Sequence, residues 1–240
     1  MGMKLTILGC SGSYPGPGGA ASGYLVEGDG TRIWLDAGSG TLANLQRHIG
    51  LDAVDAVVLS HEHPDHWADI EGFHIACKYF NKRSGVPVYA PAGLRDVTHD
   101  DTEPTFEWHA VTDHDSVEIG AMRLNFSRTD HGPETLAVRI DTRDRSFGYS
   151  ADTGPRWSLE ALGSSLDLVL CEASFLRHDE GSLQHLSARQ AGTSAREARA
   201  GRLVLTHLWP TVDPAKIQAE GADAFGAPVE LAAIDKEYSL

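Results

Sequence analysis

Cysteine is scarce. Three residues in 240, Cys10, Cys77 and Cys171, are odd in number and widely scattered, which excludes a disulfide framework or a zinc ribbon. They read as reduced thiols, and the cytoplasm is the expected compartment. No run approaches the ~20 apolar residues that span a bilayer, so no membrane partner is expected. The stretch Met1-Gly2-Met3-Lys4 enters the strand pattern Leu5-Thr6-Ile7-Leu8 at once, and no signal peptide is expected there. Positive charge is the other shortage: 20 Lys and Arg stand against 34 Asp and Glu, a net charge of −14. The basic residues occur in short groups such as Lys82-Arg83 and Arg139, Arg143 and Arg145. Long RNA or DNA is gripped by clustered Lys and Arg, so long nucleic acid is not expected as the substrate. A linker is missing too, and we read one domain over residues 1–240.

The Gly-rich segment from Gly9 to Gly19 lacks the Gly-Lys-Ser/Thr ending of a nucleotide P-loop. Its prolines prevent a prompt helix start, so a structural hairpin or site rim is expected, with a backbone-amide phosphate contact as the alternative. Hydrophobic content of 41% and charged content of 22% are ordinary for a globular protein. Strand patterns fall at 4–8, 23–27, 32–35, 56–59, 87–89, 116–119, 123–127, 136–140, 146–150, 168–171 and 203–206. Helical patterns fall at 41–48, 67–79, 188–200 and 214–222. Each half of the chain is mostly strand with helices at its end. That order suggests two sheets packed face to face with helices outside.

Against these absences stands one dense cluster, Ser60-His61-Glu62-His63-Pro64-Asp65-His66, directly after the apolar strand Ala56-Val57-Val58-Leu59. Imidazole nitrogen and carboxylate oxygen are the ligands that zinc, iron and manganese accept. A turn after a buried strand aims alternate side chains outward, His61 and His63 toward one metal, Asp65 and His66 toward a second. Four more polar residues end apolar runs. Asp36 follows Ile33-Trp34-Leu35, and His131 follows the run from Phe126 to Asp130. Asp152 follows the run from Phe147 to Ala151, and His207 follows Leu203-Val204-Leu205-Thr206. Singly, each reads as a cap or a solvated loop tip. Together, Asp152 and two further imidazoles raise the donor set to the seven ligands a two-metal site needs.

These residues resemble the metallo-β-lactamase-fold superfamily over essentially the whole chain. The resemblance implies the α+β class, a four-layer αββα sandwich with two metals at one edge. His61, His63 and His131 are then implied to hold the first metal, and Asp65, His66 and His207 the second. Asp152 is implied to bridge them, and Asp36 to orient the ligand loop by hydrogen bonding. Zinc is the expected metal, while manganese and iron share these ligands. Two divalent ions would return about four positive charges to one spot and so attract a small anion.

Substrate is read from the flanks. His185, in Gln184-His185-Leu186-Ser187-Ala188, resembles the histidine loop of the ribonuclease Z branch. The resemblance implies a general acid and phosphate contact, with Glu172 of Cys171-Glu172-Ala173-Ser174 orienting it. The plainer alternatives are a solvent-facing His185 ahead of a Ser187-capped helix and a strand-end carboxylate satisfied by backbone. Ser187, whose helix start offers N–H groups to an anion, and Trp67, which could stack on a base or anchor the core, are the candidate substrate contacts.

Transfer-RNA processing members of that branch carry a basic arm between the residues matched by His131 and Asp152. Only twenty residues separate the two here, room for one hairpin. A related phosphonate-pathway diesterase has a Cys-rich zinc site that three scattered cysteines do not reproduce. The motifs at 8–13, 21–25, 170–174 and 185–188 resemble an armless subgroup that includes an atypical cAMP phosphodiesterase. The expected function is therefore a binuclear phosphodiesterase acting on a small anionic phosphodiester, most simply a cyclic nucleotide such as cAMP. Asp65, His185 and Glu172 are its expected catalytic residues. A ribonuclease Z-like nuclease, or a metallo-hydrolase of a lactam or thioester, is the alternative. His74 is expected to pack, and the acidic stretch holding His99, His109 and His114 to be a solvated loop. A homodimer is the commonest assembly for a soluble chain.

Overall fold

The computed structural model describes residues 2–98 and 102–240. The first sheet takes β1 (Met3–Gly9), β2 (Gly23–Gly28), β3 (Thr31–Ala37), β4 (Ala56–Val58), β5 (Val86–Ala90) and β6 (Phe106–Ala110). The second takes β7 (Ser116–Ile119), β8 (Met122–Arg128), β9 (Leu136–Asp141), β10 (Ser146–Tyr149), β11 (Leu168–Glu172), β12 (Leu203–Thr206) and β13 (Glu230–Leu231). A last strand, β14 (Glu237–Ser239), returns to the first sheet beside β1. Each sheet has seven strands, in the orders β14-β1-β2-β3-β4-β5-β6 and β13-β12-β11-β10-β9-β8-β7. In each, antiparallel hairpins give way to parallel strands, at β3–β4 in one and β10–β11 in the other.

Side-chain alternation sorts the apolar residues into three cores. Ile33 and Leu35 of β3 point between the sheets, where they join Leu124, Val138, Phe147 and Leu170. Trp34, between them in sequence, points outward onto Phe73 and Ile70 of the first helical layer. Val169 and Cys171 of β11 likewise face the second helical layer, against Ala191, Ala195 and Ile217. Two faces per strand are the direct result of the two-residue repeat. The four-layer αββα arrangement follows.

The first helical layer holds α1 (Thr41–Leu45), α2 (Pro64–Trp67), α3 (Ile70–Ile75) and α4 (Leu94–Val97). The second holds α5 (Ala188–Glu197) and α6 (Pro214–Phe225). No helix among the described residues is long and apolar enough to cross a membrane.

Several expectations are corrected. The helix expected over 67–79 is broken after α2, because the Asp69 amide donates to Ala37 at the end of β3 and not to a preceding turn. Its last turns, Ala76–Asn81, wind as a π-helix. The stretch expected as a solvated loop contains β6, whose Phe106 is buried and whose His109 stacks on Tyr89 at 4.7 Å. His114 is exposed, and His99 lies outside the described residues. β13 and β14 went unseen because short edge strands carry little alternation. His74 is buried beside Phe106.

Candidate metal centre

The loops at one edge of the sandwich reverse sharply, and three of them do so through strained residues. Asp36 (φ 55°), Ala151 (φ 50°) and His207 (φ 54°) occupy the left-handed region that side chains other than glycine avoid. Asp36 is also the extra residue of a β-bulge, opposite the register shift between Gly23 and Tyr24. Such conformations cost about 1–3 kcal/mol each and persist where the surroundings impose them. Here they turn three strand ends toward one point. Pro64 opens α2, a position that suits its fixed φ, and the first turn presents Asp65 and His66.

Donor atoms of seven residues, from four places in the chain, meet there. His61, His63, His131 and Asp152 form one group, and Asp65, His66 and His207 another, each with its donor atoms within 4.8 Å of one another. His61 Nε2 stands 3.1 Å from His63 Nδ1, which stands 3.2 Å from His131 Nε2. Asp152 faces both groups. Its Oδ2 lies 3.6 Å from His61 Nε2 and 3.9 Å from His131 Nε2, and its Oδ1 lies 3.3 Å from His66 Nε2 and 3.4 Å from His207 Nε2. Asp65 Oδ2 is 3.3 Å from His207 Nε2 and 3.5 Å from His66 Nε2.

This donor set fits two metal ions. Ligand atoms ~2.0–2.1 Å from a tetrahedral cation stand about 3.3 Å from one another, close to the spacings observed. His66 Nε2 and Asp152 Oδ1 are buried and complete no hydrogen bond. A buried polar atom normally has a partner, and a cation between them would supply it.

The supporting hydrogen bonds choose which imidazole nitrogen faces inward. Asp36 Oδ2 accepts from His66 Nδ1 at 2.7 Å, from Tyr149 Oη at 2.7 Å and from Ser60 Oγ at 2.9 Å. Its Oδ1 accepts from the Ser60 amide at 2.7 Å. The Gln184 carbonyl accepts from His131 Nδ1 at 3.0 Å, which leaves Nε2 as the donor. Ser174 Oγ donates to Glu172 Oε2 at 2.8 Å and accepts from His207 Nδ1 at 2.9 Å. Asp65 Oδ2 also accepts the Ser13 amide at 2.9 Å, so the Gly-rich segment acts as a rim. Burial, together with the neighbouring His66, holds His61 well below the usual imidazole range, and the neutral ring is the ligating form. Burial opposes charge on His66 as well, yet the Asp152 and Asp36 carboxylates override it and raise its pKa well above the ordinary value.

His185 stands beside the donors, 5.2 Å from the His207 ring and 5.1 Å from the His131 ring. Its Nδ1 donates to Glu172, 3.1 Å from Oε1, and lies 4.0 Å from Asp152 Oδ2. Glu172 is buried and also accepts the Thr153 amide at 2.6 Å. Burial disfavours charge on His185, but Glu172 prevails and raises it to about 9.

Two candidate contacts are corrected. Ser187 is fully buried, and its hydroxyl is spent on a capping box with Gln190 and on Glu180. Trp67 is 7% exposed and packs with Trp34 and Phe73, its indole N–H donating to the Glu62 carbonyl at 2.8 Å. It anchors the core. Sequence reading also missed Tyr149, Ser60, Ser174 and Asp130. Asp130 ties Arg156 and Gln184 together around the His131 loop, through bonds of 2.6 Å and 3.0 Å. All four sit inside segments that carry site residues, but nothing in the local sequence separates their supporting roles from ordinary strand-end polarity.

Known proteins resemble the chain along most of its length. A family model described as a beta-lactamase superfamily domain matches residues 31–208. The protein Rv1339 of Mycobacterium tuberculosis is 33% identical over 253 residues, covering 99% of this chain and 92% of its own. A probable metallo-hydrolase of Bacillus subtilis, YhfI, is 32% identical over 220 residues, with 86% and 87% covered. The YhfI crystal structure superposes with a TM-score of 0.93 at 28% identity, covering 100% of both chains. A ribonuclease Z of Methanopyrus kandleri is 28% identical over 270 residues, with 97% and 96% covered. A family match across about three quarters of the chain, on a sandwich whose edge gathers seven side chains able to hold metal, leaves one assignment: the chain is a metallo-hydrolase of the β-lactamase superfamily.

Proposed function

We propose that the chain hydrolyses a small phosphodiester, a cyclic nucleotide such as cAMP, with two divalent ions, zinc first among them. His61, His63 and His131 would hold one ion, Asp65, His66 and His207 the other, with Asp152 shared. Bound there, the ions supply Lewis-acid activation of water and neutralise charge at phosphorus.

The observation that carries the reading is the His185–Glu172 pair beside the shared Asp152. In cAMP hydrolysis the water oxygen bonds to phosphorus, the bond to the ribose 3′ oxygen breaks, and that oxygen must take a proton. Glu172 holds the Nδ1–H of His185, so Nε2–H is free to donate to the departing oxygen. Asp65 and Asp152 set the negative edge that orients the attacking water's protons. The ribonuclease Z relative is by its name a nuclease, so phosphodiester chemistry has a precedent at 28% identity. Extended RNA is disfavoured here, because the loop from His131 to Asp152 spends its twenty residues on the β9–β10 hairpin and the net charge is −14.

Hydrolysis of cAMP and bis-(p-nitrophenyl) phosphate by metal-loaded wild type and His185→Ala tests the proposal. Wild type is expected to turn over both, and the variant to keep its metal while losing about 10²–10⁴-fold in turnover. Full activity in the variant sinks the acid role. Activity on neither ester, with turnover of nitrocefin or an acyl-glutathione, replaces the phosphodiester by another bond.

A further inference from the structure

Beyond His185 lies a groove of about 590 Å³, walled by Leu176, Leu183, Trp209 and Val212, with Ser182 and Lys216 among its polar residues. That volume is typical of small-molecule sites, and the apolar wall faces six polar residues, the carboxylates of Asp179 and Asp213 among them. Two observations join it to the metal centre. Trp209 is the second residue after His207, and its half-buried ring meets His185 edge-on at 6.4 Å. Its other contact is Phe175 at 5.4 Å, and its indole nitrogen is buried with no hydrogen-bond partner among the described residues. The ring is held by packing, and part of it is open to the groove. Leu183, two residues before His185, leaves 54% of its surface exposed and lines the same groove. A single exposed Leu is ordinary, but here it adds to an apolar wall next to the proposed acid.

We propose that this groove is the nucleobase subsite, with Trp209 as the surface on which the base stacks. The inference rests on the phosphodiesterase reading for its direction. His185 protonates the departing ribose oxygen, so the ribose lies on the His185 side of phosphorus. The base carried by that ribose then extends past His185 toward Trp209. Stacking on an aromatic ring suits any base, since each has a π face, and needs no basic residues. An acidic protein can therefore hold the neutral end of a nucleotide here while the metals hold its anionic end. The occupant is one base with its ribose, not a strand.

Calorimetric titration of adenosine, which carries base and ribose without phosphate, into the metal-loaded protein tests this. Wild type is expected to bind, Trp209→Phe to bind within about threefold of it, and Trp209→Ala to bind about 5- to 150-fold more weakly. Leu183→Ser, a change at an exposed position that folding tolerates, should weaken binding several-fold and serves if Trp209→Ala does not fold. Absence of adenosine binding to wild type overturns the subsite, and so does equal binding by wild type, Trp209→Ala and Leu183→Ser. A trinucleotide that binds more than tenfold tighter than AMP, which carries base, ribose and one phosphate, overturns the single-nucleotide occupant. The two readings fail separately. Adenosine bound by Trp209 in a protein inert toward cAMP sinks the phosphodiesterase reading alone, and cAMP turnover without adenosine binding sinks the subsite alone.

Discussion

Replacing Asp36 by Asn keeps the shape of the side chain and removes its charge, at a position with no exposure to solvent. The carboxylate accepts four hydrogen bonds, three on Oδ2 and one on Oδ1. An amide must turn its NH2 toward one of those sets. The cheaper orientation keeps oxygen at the Oδ2 position and sets NH2 against the Ser60 N–H, leaving that buried donor unpaired at about 1–3 kcal/mol. The other three bonds fall from charge-assisted to neutral strength, about half their former worth, or ~1 kcal/mol each. Neighbouring effects do not add fully, so we expect a loss of about 4 kcal/mol in the metal-free protein, a fall in Tm of about 10 °C for a chain this long. His66 keeps an acceptor for its Nδ1–H but loses the negative charge that strengthens its ring as a ligand, and losing such a partner typically weakens metal binding ~10–100-fold. That loss should fall on the ion proposed for Asp65, His66 and His207, with the one proposed for His61, His63 and His131 retained. Melting of the metal-free proteins and zinc stoichiometry in graded metal buffers measure both effects. Wild-type Tm together with two zinc ions bound at wild-type affinity would refute the reasoning.

Two further outcomes are expected. At Gly12 an added Cβ would lie 2.5 Å from the His207 carbonyl oxygen and 2.7 Å from its Nδ1. Gly12→Ala must therefore displace the His207 loop, costing about 1–3 kcal/mol, and metal analysis should show the second ion depleted; two tightly held ions would contradict this. Glu180 accepts from Arg189 at 2.7 Å and 2.9 Å and from Ser187 at 2.7 Å, and the Arg189 hydrogen bonds hold its pKa below the ordinary 4.5. A depressed folded-state pKa contributes stability above the unfolded value, lost as pH falls through the folded one. The Tm gap between wild type and Glu180→Gln should be constant above about pH 5.5 and close below about pH 4.5. A gap that does not narrow as pH falls below the ordinary 4.5 would remove the ion-pair explanation.

What the chain states locally, it states clearly. Alternation in runs such as Ile33-Trp34-Leu35 sets strands with two apolar faces, and two apolar faces demand layers on both sides. The αββα sandwich was legible for that reason. His61, His63, Asp65 and His66 stand within six residues, so their chemistry could be read without knowing the fold. Asp36, His131, Asp152 and His207 announced themselves only as polar ends of apolar runs, a signal that gains meaning when strand ends are known to share an edge. Tertiary structure alone decided how the donors divide between the two oxygens of Asp152, because that depends on backbone reversals at Asp36, Ala151 and His207. It alone assigned Ser187 to a helix cap and Trp67 to the core, since a hydroxyl or an indole has the same local spelling in either role. It also brought Tyr149 to Asp36, 113 positions away in sequence, and Trp209 to the side of His185. Local pattern encodes which faces are buried. Which distant side chains meet depends on packing every layer at once, and no short segment contains that information.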